Sequence, residues 1–113
     1  MKTSCARMFK FRVLPGMEQA YADYLREVVT PIDAVAHAAG AFLELLTVTP
    51  DATEDWNHGR VFTFRDRAHR ETMPAAMAKA AAGFDGSDEA RVKRKAYAET
   101  LRRQIAVADY NFS

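Results

Sequence analysis

A chain of 113 residues, 49% hydrophobic and 27% charged, has the composition of one ordinary globular domain, small enough that oligomerisation is expected to help cover its surface. Its 16 lysines and arginines nearly balance 15 aspartates and glutamates, which leaves no field to hold a polyanion and disfavours nucleic acid as the main partner. The single cysteine, Cys5, excludes an intrachain disulfide and a thiolate metal cluster, and with no apolar run of signal-peptide or membrane-span length a cytoplasmic protein without a membrane partner is expected.

Residues 1–113 are read as one domain, with 1–6 loose. An alternating strand is predicted over 7–14, with Phe9, Phe11 and Val13 on one face and Met8, Lys10, Arg12 and Leu14 on the other. Pro15-Gly16 ends it. From Met17 the positions Tyr21, Tyr24, Leu25, Val28, Ile32, Val35, Ala36 and Ala39 recur at three-and-four spacing, the buried stripe of a helix that stops at Gly40. Pro31 interrupts it. Thr30-Pro31-Ile32-Asp33 reads as a cap, a first-turn proline and an acidic third position, so a kink or restart is expected at Thr30.

A second strand is predicted over 42–49, ended by Pro50, then a polar loop over 51–59, then a third strand over 60–65 antiparallel to the second. Asp66 is placed to cap a helix whose buried stripe would be Met73, Ala76, Met77, Ala80 and Phe84, with a second kink or restart at Pro74. After a break at 83–87, Ser87 caps a further helix marked by Ala90, Tyr97, Leu101 and Ile105. Its outer face would carry Arg91, Lys93, Lys95, Arg102 and Arg103. A last strand is predicted over 107–112.

This order, β-α-β-β-α-(α)-β, predicts an α+β domain of the ferredoxin-like kind, an antiparallel sheet with helices on one face. Both faces of the strands carry apolar side chains. The face without helices therefore needs a cover, and a second copy of the same sheet would make a homodimer, the dimeric α+β barrel. The strand-Pro-Gly-helix opening, the stretch 60–70 and the closing helix with its short last strand resemble the NIPSNAP family of the dimeric α+β barrel superfamily. Phe64, Asp66 and Arg70 carry the motif, an aromatic strand end running into Asp-x-x-x-Arg. The alanine run and Phe84-Asp85-Gly86 depart from it, standing where the family has an Asp-Pro-x-Trp-like stretch. Proteins of this architecture include cofactor-independent and haem-degrading monooxygenases, polyketide cyclases and sugar mutarotases, so the resemblance names no single reaction.

The resemblance also implies roles for Trp56, Asn57 and His58, since monooxygenases of the superfamily set tryptophan, asparagine and histidine around a flat aromatic substrate. A loop in which Trp56 covers the core edge and Asn57 makes the turn accounts for the same residues. His69, in a first helical turn, could face a cavity between sheet and helices as a base or haem ligand, or bond locally. Lys10, Arg12, Glu44 and Asp109 are charges in half-buried strands, which suggests an Arg12–Glu44 or Lys10–Glu44 pair or an anion site. Tyr21 and Tyr24 could hold a ligand, and Met73 and Met77 floor its pocket, although packing is the ordinary account of both.

Asp88, Glu89 and Glu99 around the basic run at 91–95 mark a solvated helix face. No metal-ligand spacing, phosphate loop or Ser-His-Asp arrangement is present. The expected protein therefore binds a small, mostly apolar organic molecule, with cofactor-free oxygenation or isomerisation as its chemistry. His58 or His69 would move a proton, Arg12 or Arg60 would stabilise developing negative charge, and Tyr21, Tyr24, Trp56, Asn57, Arg60, Met73 and Met77 would line the site. No metal and no cofactor is expected, haem being the one the superfamily would allow. The competing expectation is a non-catalytic scaffold, and geometry separates the two: the enzyme needs His58, His69 and Arg12 on one cavity.

Overall fold

Alternation carries the first strand further than expected. In the computed structural model, which describes residues 3–112, β1 spans Cys5–Val13. Cys5 and Ala6 are 1% and 2% exposed, so the loose segment expected over 1–6 does not include them; residues 1 and 2 lie outside the described residues. Ser4 extends the pairing, its N–H donating to the Phe64 carbonyl at 2.9 Å.

Three more strands follow: β2 (Leu45–Val48), β3 (His58–Phe64) and β4 (Arg102–Asn111). The sheet order is β2-β3-β1-β4, every neighbour antiparallel. With the helices α1 (Glu18–Tyr24), α2 (Thr30–Ala38), α3 (Arg67–Asp85) and α4 (Asp88–Leu101) on one face, this is the expected ferredoxin-like α+β arrangement. No helix among the described residues is long and apolar enough to cross a membrane.

The register Cys5↔Phe64, Phe9↔Arg60 and Phe11↔His58 sends the odd residues of β1 and the even residues of β3 to the helix side. There Cys5, Phe62 and Phe64 pack with Ile32, Ala36, Phe42, Met73 and Ala80. The opposite side carries Met8, Val61, Leu46, Val48, Ala106, Ala108 and Tyr110 by the same alternation. Leu46 and Tyr110 are 50% and 44% exposed. That apolar side has no helix over it.

Three expectations about the helices need correcting. The first helix does not restart at Thr30. A π-helical turn, Leu25–Val29, joins α1 to α2, and the Thr30 N–H reaches back five residues to the Leu25 carbonyl, with no side-chain cap. The wider turn accommodates Pro31, which brings no N–H and crowds the preceding turn. Pro74 likewise lies inside an unbroken α3, which continues past Gly83 to a left-handed Gly86 (φ 78°). Val35 and Phe84, expected in buried stripes, are 58% and 46% exposed.

The caps hold: the Asp66 carboxylate accepts from the His69 N–H at 2.7 Å, and the Ser87 hydroxyl from the Ala90 N–H at 3.1 Å. The largest shift of boundary is at the C-terminal end. Leu101, 1% exposed, closes α4 and accepts from the Leu14 N–H at 2.9 Å. The chain turns at once into β4, so Arg102 and Ile105 belong to a strand. Pairing slips between Lys10 and Phe11, opposite which Ile105 is the extra residue of a β-bulge.

Candidate functional site

Between the sheet and its helices lies an open cleft of about 650 Å³. Phe9 and Phe11 of β1, Phe62 of β3, Met73, Pro74 and Met77 of α3 and Val107 of β4 form its apolar body, and Arg7, Arg60, Lys95, Arg102, Gln104 and Asp109 its polar groups. A smaller inner chamber of about 240 Å³, itself open to solvent, shares Arg60, Met77 and Arg102 with the cleft and reaches Tyr24 and Asp33. Strand alternation explains the composition: residues 7, 9 and 11 of β1 and 60 and 62 of β3 all fall on the helix side.

At the inner end Arg60 Nη2 donates to Asp33 Oδ2, an ion pair whose side chains are 11% and 12% exposed. Asp33 Oδ1 is buried with no hydrogen-bond partner. Burial raises the pKa of this carboxyl above the ordinary aspartate value, and the charge and hydrogen bond of Arg60 oppose the rise. Beside the pair, the Arg102 guanidinium carbon lies 4.2 Å from the Phe11 ring centroid, and Nη1 donates to the Tyr21 hydroxyl at 3.1 Å. At the opposite end Arg7 donates to both Asp109 oxygens at 2.8 and 3.1 Å, with Arg70 Nε 3.6 Å from the same carboxylate. The hydrogen bond from Arg7 holds Asp109 below the ordinary aspartate range.

Among the residues the sequence nominated, Arg60, Met73 and Met77 line the cleft, and Tyr24 lines the inner chamber. Tyr21 contributes through its hydroxyl, which tethers Arg102. His58 belongs to β3 and stands behind the cleft wall, 5.1 Å from the Tyr21 ring and 6.4 Å from the Phe11 ring, with Nε2 buried and unpartnered. Burial first, and then the charges of Arg60 and Arg102, lower its pKa to about 4. The ring is neutral at pH 7.

The remaining nominees are elsewhere. His69 Nδ1 accepts from the Arg65 N–H at 3.1 Å, so Nε2 carries the proton and donates to the Gly40 carbonyl at 2.7 Å. Both nitrogens are used to join two loops, leaving neither for a base or an iron. Arg12 donates to the carbonyls of Asp55, at 2.6 Å, and Glu54, on the sheet side away from the cleft; no Arg12–Glu44 pair forms. Trp56 is 8% exposed and packs over Gly59, with Lys10 above its ring at 5.3 Å. Asn57 pins the loop to β1 through its backbone N–H to the Phe11 carbonyl at 2.9 Å and its side chain to Val13. Trp56 and Asn57 thus cover and fasten the fold, and His58, His69 and Arg12 do not share a cavity.

Asp33 and Arg102 were missed for different reasons. Buried positions Val29, Ile32, Asp33 and Ala36 follow the three-and-four spacing of a helix stripe, so an aspartate stood at an apolar position and asked for a partner. Arg102 gave no such signal. No glycine or proline marks the step from α4 into β4, and a helical continuation put it on a solvated face.

No protein-family model matches the sequence, and no curated protein does. Among solved structures, HapK from Hahella chejuensis superposes with a TM-score of 0.60 at 13% identity over 96% of this chain and 92% of that one. A dimeric ferredoxin-like protein from an uncultured marine organism gives 0.59 at 12% identity, over 99% and 90% of the two chains. MupZ from Pseudomonas fluorescens gives 0.56 at 9% identity, over 96% and 71%. At such identities the likeness speaks for architecture alone, and it agrees with the sheet order and one-sided helices described above: this chain has a ferredoxin-like α+β fold.

Proposed function

We propose that the protein binds a small, mostly apolar organic molecule in the cleft between sheet and helices. One observation carries the reading: a cleft of about 650 Å³ is walled by Phe9, Phe11, Phe62, Met73 and Met77 and carries a few polar groups, Arg60, Arg102 and the Arg7–Asp109 pair among them. A volume between about 300 and 1,000 Å³, apolar walls and a few convergent polar groups are the usual features of a small-molecule site.

Of the catalytic roles expected from the sequence, that of Arg60 stays in the cleft, and Asp33 and Arg102 join it. Isomerisation or cofactor-independent oxygenation of an enolisable ligand would use Asp33, through its unpartnered Oδ1, as proton acceptor and Arg60 or Arg102 as oxyanion partner. Binding without turnover is the second reading. It is favoured by the structural contacts that occupy His69 and Arg12 and by the position of His58 behind the wall.

A homodimer completes the proposal. Met8, Val61, Leu46, Val48 and Tyr110 leave one sheet face apolar without a helix, a second copy covers it symmetrically, and the similar protein from the marine organism is described as dimeric. We keep the NIPSNAP-like junction as a likeness of element order, since Phe64 packs in the core, Asp66 caps α3 and Arg70 reaches Asp109. Buried, unpaired Cys5 fits a reducing, cytoplasmic setting.

The test is a titration with neutral naphthalene-1-carboxamide, followed by the methyl resonances of Met73 and Met77. Both are expected to shift and saturate together. A titration to millimolar concentration that moves neither overturns the proposal.

A further inference from the structure

Every arginine around the cleft has a carboxylate except one. Arg60 has Asp33, Arg7 and Arg70 share Asp109, and Arg94 holds Asp85 at 2.7 and 2.9 Å. Among the described residues, no carboxylate oxygen lies within ion-pair distance of Arg102. Its partners are a phenol and aromatic faces: the Tyr21 hydroxyl at 3.1 Å, and the rings of Phe11, Tyr21 and Tyr24 at 4.2, 5.6 and 6.0 Å. These contacts fix the guanidinium without neutralising it; the carboxylate whose charge reaches it, Asp33, lies beyond ion-pair distance and is already paired with Arg60. Lys95, also without a carboxylate, is exposed at the cleft wall, where water and salt screen its charge.

A half-buried cation held in place and left uncompensated is completed by an anion. The planar fork of a guanidinium suits a planar, delocalised oxyanion, and prior fixation on Phe11 and Tyr21 lowers the ordering cost of binding one. Asp33 shapes the preference too: it neutralises Arg60, so the inner end offers one uncompensated charge. We infer that the ligand of this cleft carries a single delocalised oxyanion, a carboxylate or an enolate, seated on Arg102 with its apolar body against Phe9, Phe62 and Met77. The inference rests on the cleft reading proposed above and adds the ligand's charge and its direction. A guanidinium that merely reaches for solvent over an aromatic ring gives no such preference.

The experiment compares naphthalene-1-carboxylate with the isosteric naphthalene-1-carboxamide by calorimetry at pH 7.5, on wild-type protein and on Arg102→Gln, Arg102→Lys and Arg103→Gln. Arg103 is exposed on the sheet side away from the cleft and serves as the control. Wild type is expected to bind the carboxylate about tenfold more tightly than the amide, the size of one charge-assisted hydrogen bond, and added salt is expected to shrink the difference. Arg102→Gln is expected to bring the two ligands within about twofold with amide affinity kept. Arg102→Lys is expected to keep part of the preference and Arg103→Gln all of it.

Amide and carboxylate binding equally to wild type overturns the inference and leaves the cleft reading standing. Neither ligand binding overturns both. An undiminished preference in Arg102→Gln overturns the seat on Arg102. Should that variant fail to fold by near-ultraviolet circular dichroism, the wild-type preference, its salt dependence and Arg102→Lys decide the matter.

Discussion

His58 is a built-in acid weakness, and replacing it by phenylalanine should remove that weakness. The ring lies against Tyr21 and Phe11, and its Nε2 is buried without a partner, so His58→Phe keeps an aromatic body and breaks no hydrogen bond at that atom. Burial, Arg60 and Arg102 lower the folded-state pKa from 6.5 to about 4. Below pH 6.5 the unfolded chain therefore takes up a proton that the folded chain refuses, and stability falls as pH falls until it reaches the folded pKa. A shift of that size would be worth about 3.4 kcal/mol at 1.36 kcal/mol per pH unit. Because the ring is only half-buried and partly screened by water, about 1.5–2 kcal/mol is the expected loss. Urea unfolding of wild type and His58→Phe at intervals from pH 7.5 to 4 measures it. The variant should match or exceed wild type at pH 7.5, and the gap in its favour should widen on acidification. Parallel curves would refute the reasoning.

Three further outcomes are expected. Phe62→Ala, at a position 2% exposed and in edge-to-face contact with Phe9 and Phe42, should cost about 3–5 kcal/mol in urea unfolding. Asp66→Ala should cost about 1 kcal/mol by removing the cap that accepts from the His69 N–H, whereas Asp66→Asn should recover most of it. Val61→Glu, on the sheet face without helices, should leave far-ultraviolet circular dichroism unchanged and shift the protein to monomer in sedimentation velocity; a dimer at micromolar concentration would count against sheet-to-sheet pairing.

The architecture was legible because periodicity reports which faces are apolar, and faces decide layers. Phe9, Phe11 and Val13 announced a strand with a core side, and Asp66 and Ser87 announced helix starts through the hydrogen bonds they go on to accept. Site residues were harder to read. The cluster Trp56-Asn57-His58 is contiguous but straddles the start of β3: His58 opens the strand and goes behind the cleft, while Trp56 belongs to the preceding loop, which folds it over Gly59 on the other face. What converges on the cleft comes from β1, β3, α2, α3, α4 and β4, and only the strand register brings Arg60 and Arg102 together. That register hinges on where α4 stops. Leu101 stops it by burial and by its bond to Leu14, a tertiary event with no local marker in the sequence.

The π-helical turn at Leu25–Val29 sets the rotational phase of everything that follows it in the first long helix. Such a turn accommodates one residue more than a regular helix would, and each residue advances a regular helix by about 100°. Straightening the turn into ordinary helix with every residue kept would swing Asp33 by about 100° out of line with Arg60, whereas deleting one residue together with the turn would leave Asp33 in phase. The extra residue of the turn is thus what sets the face on which the helix presents its carboxylate to the cleft.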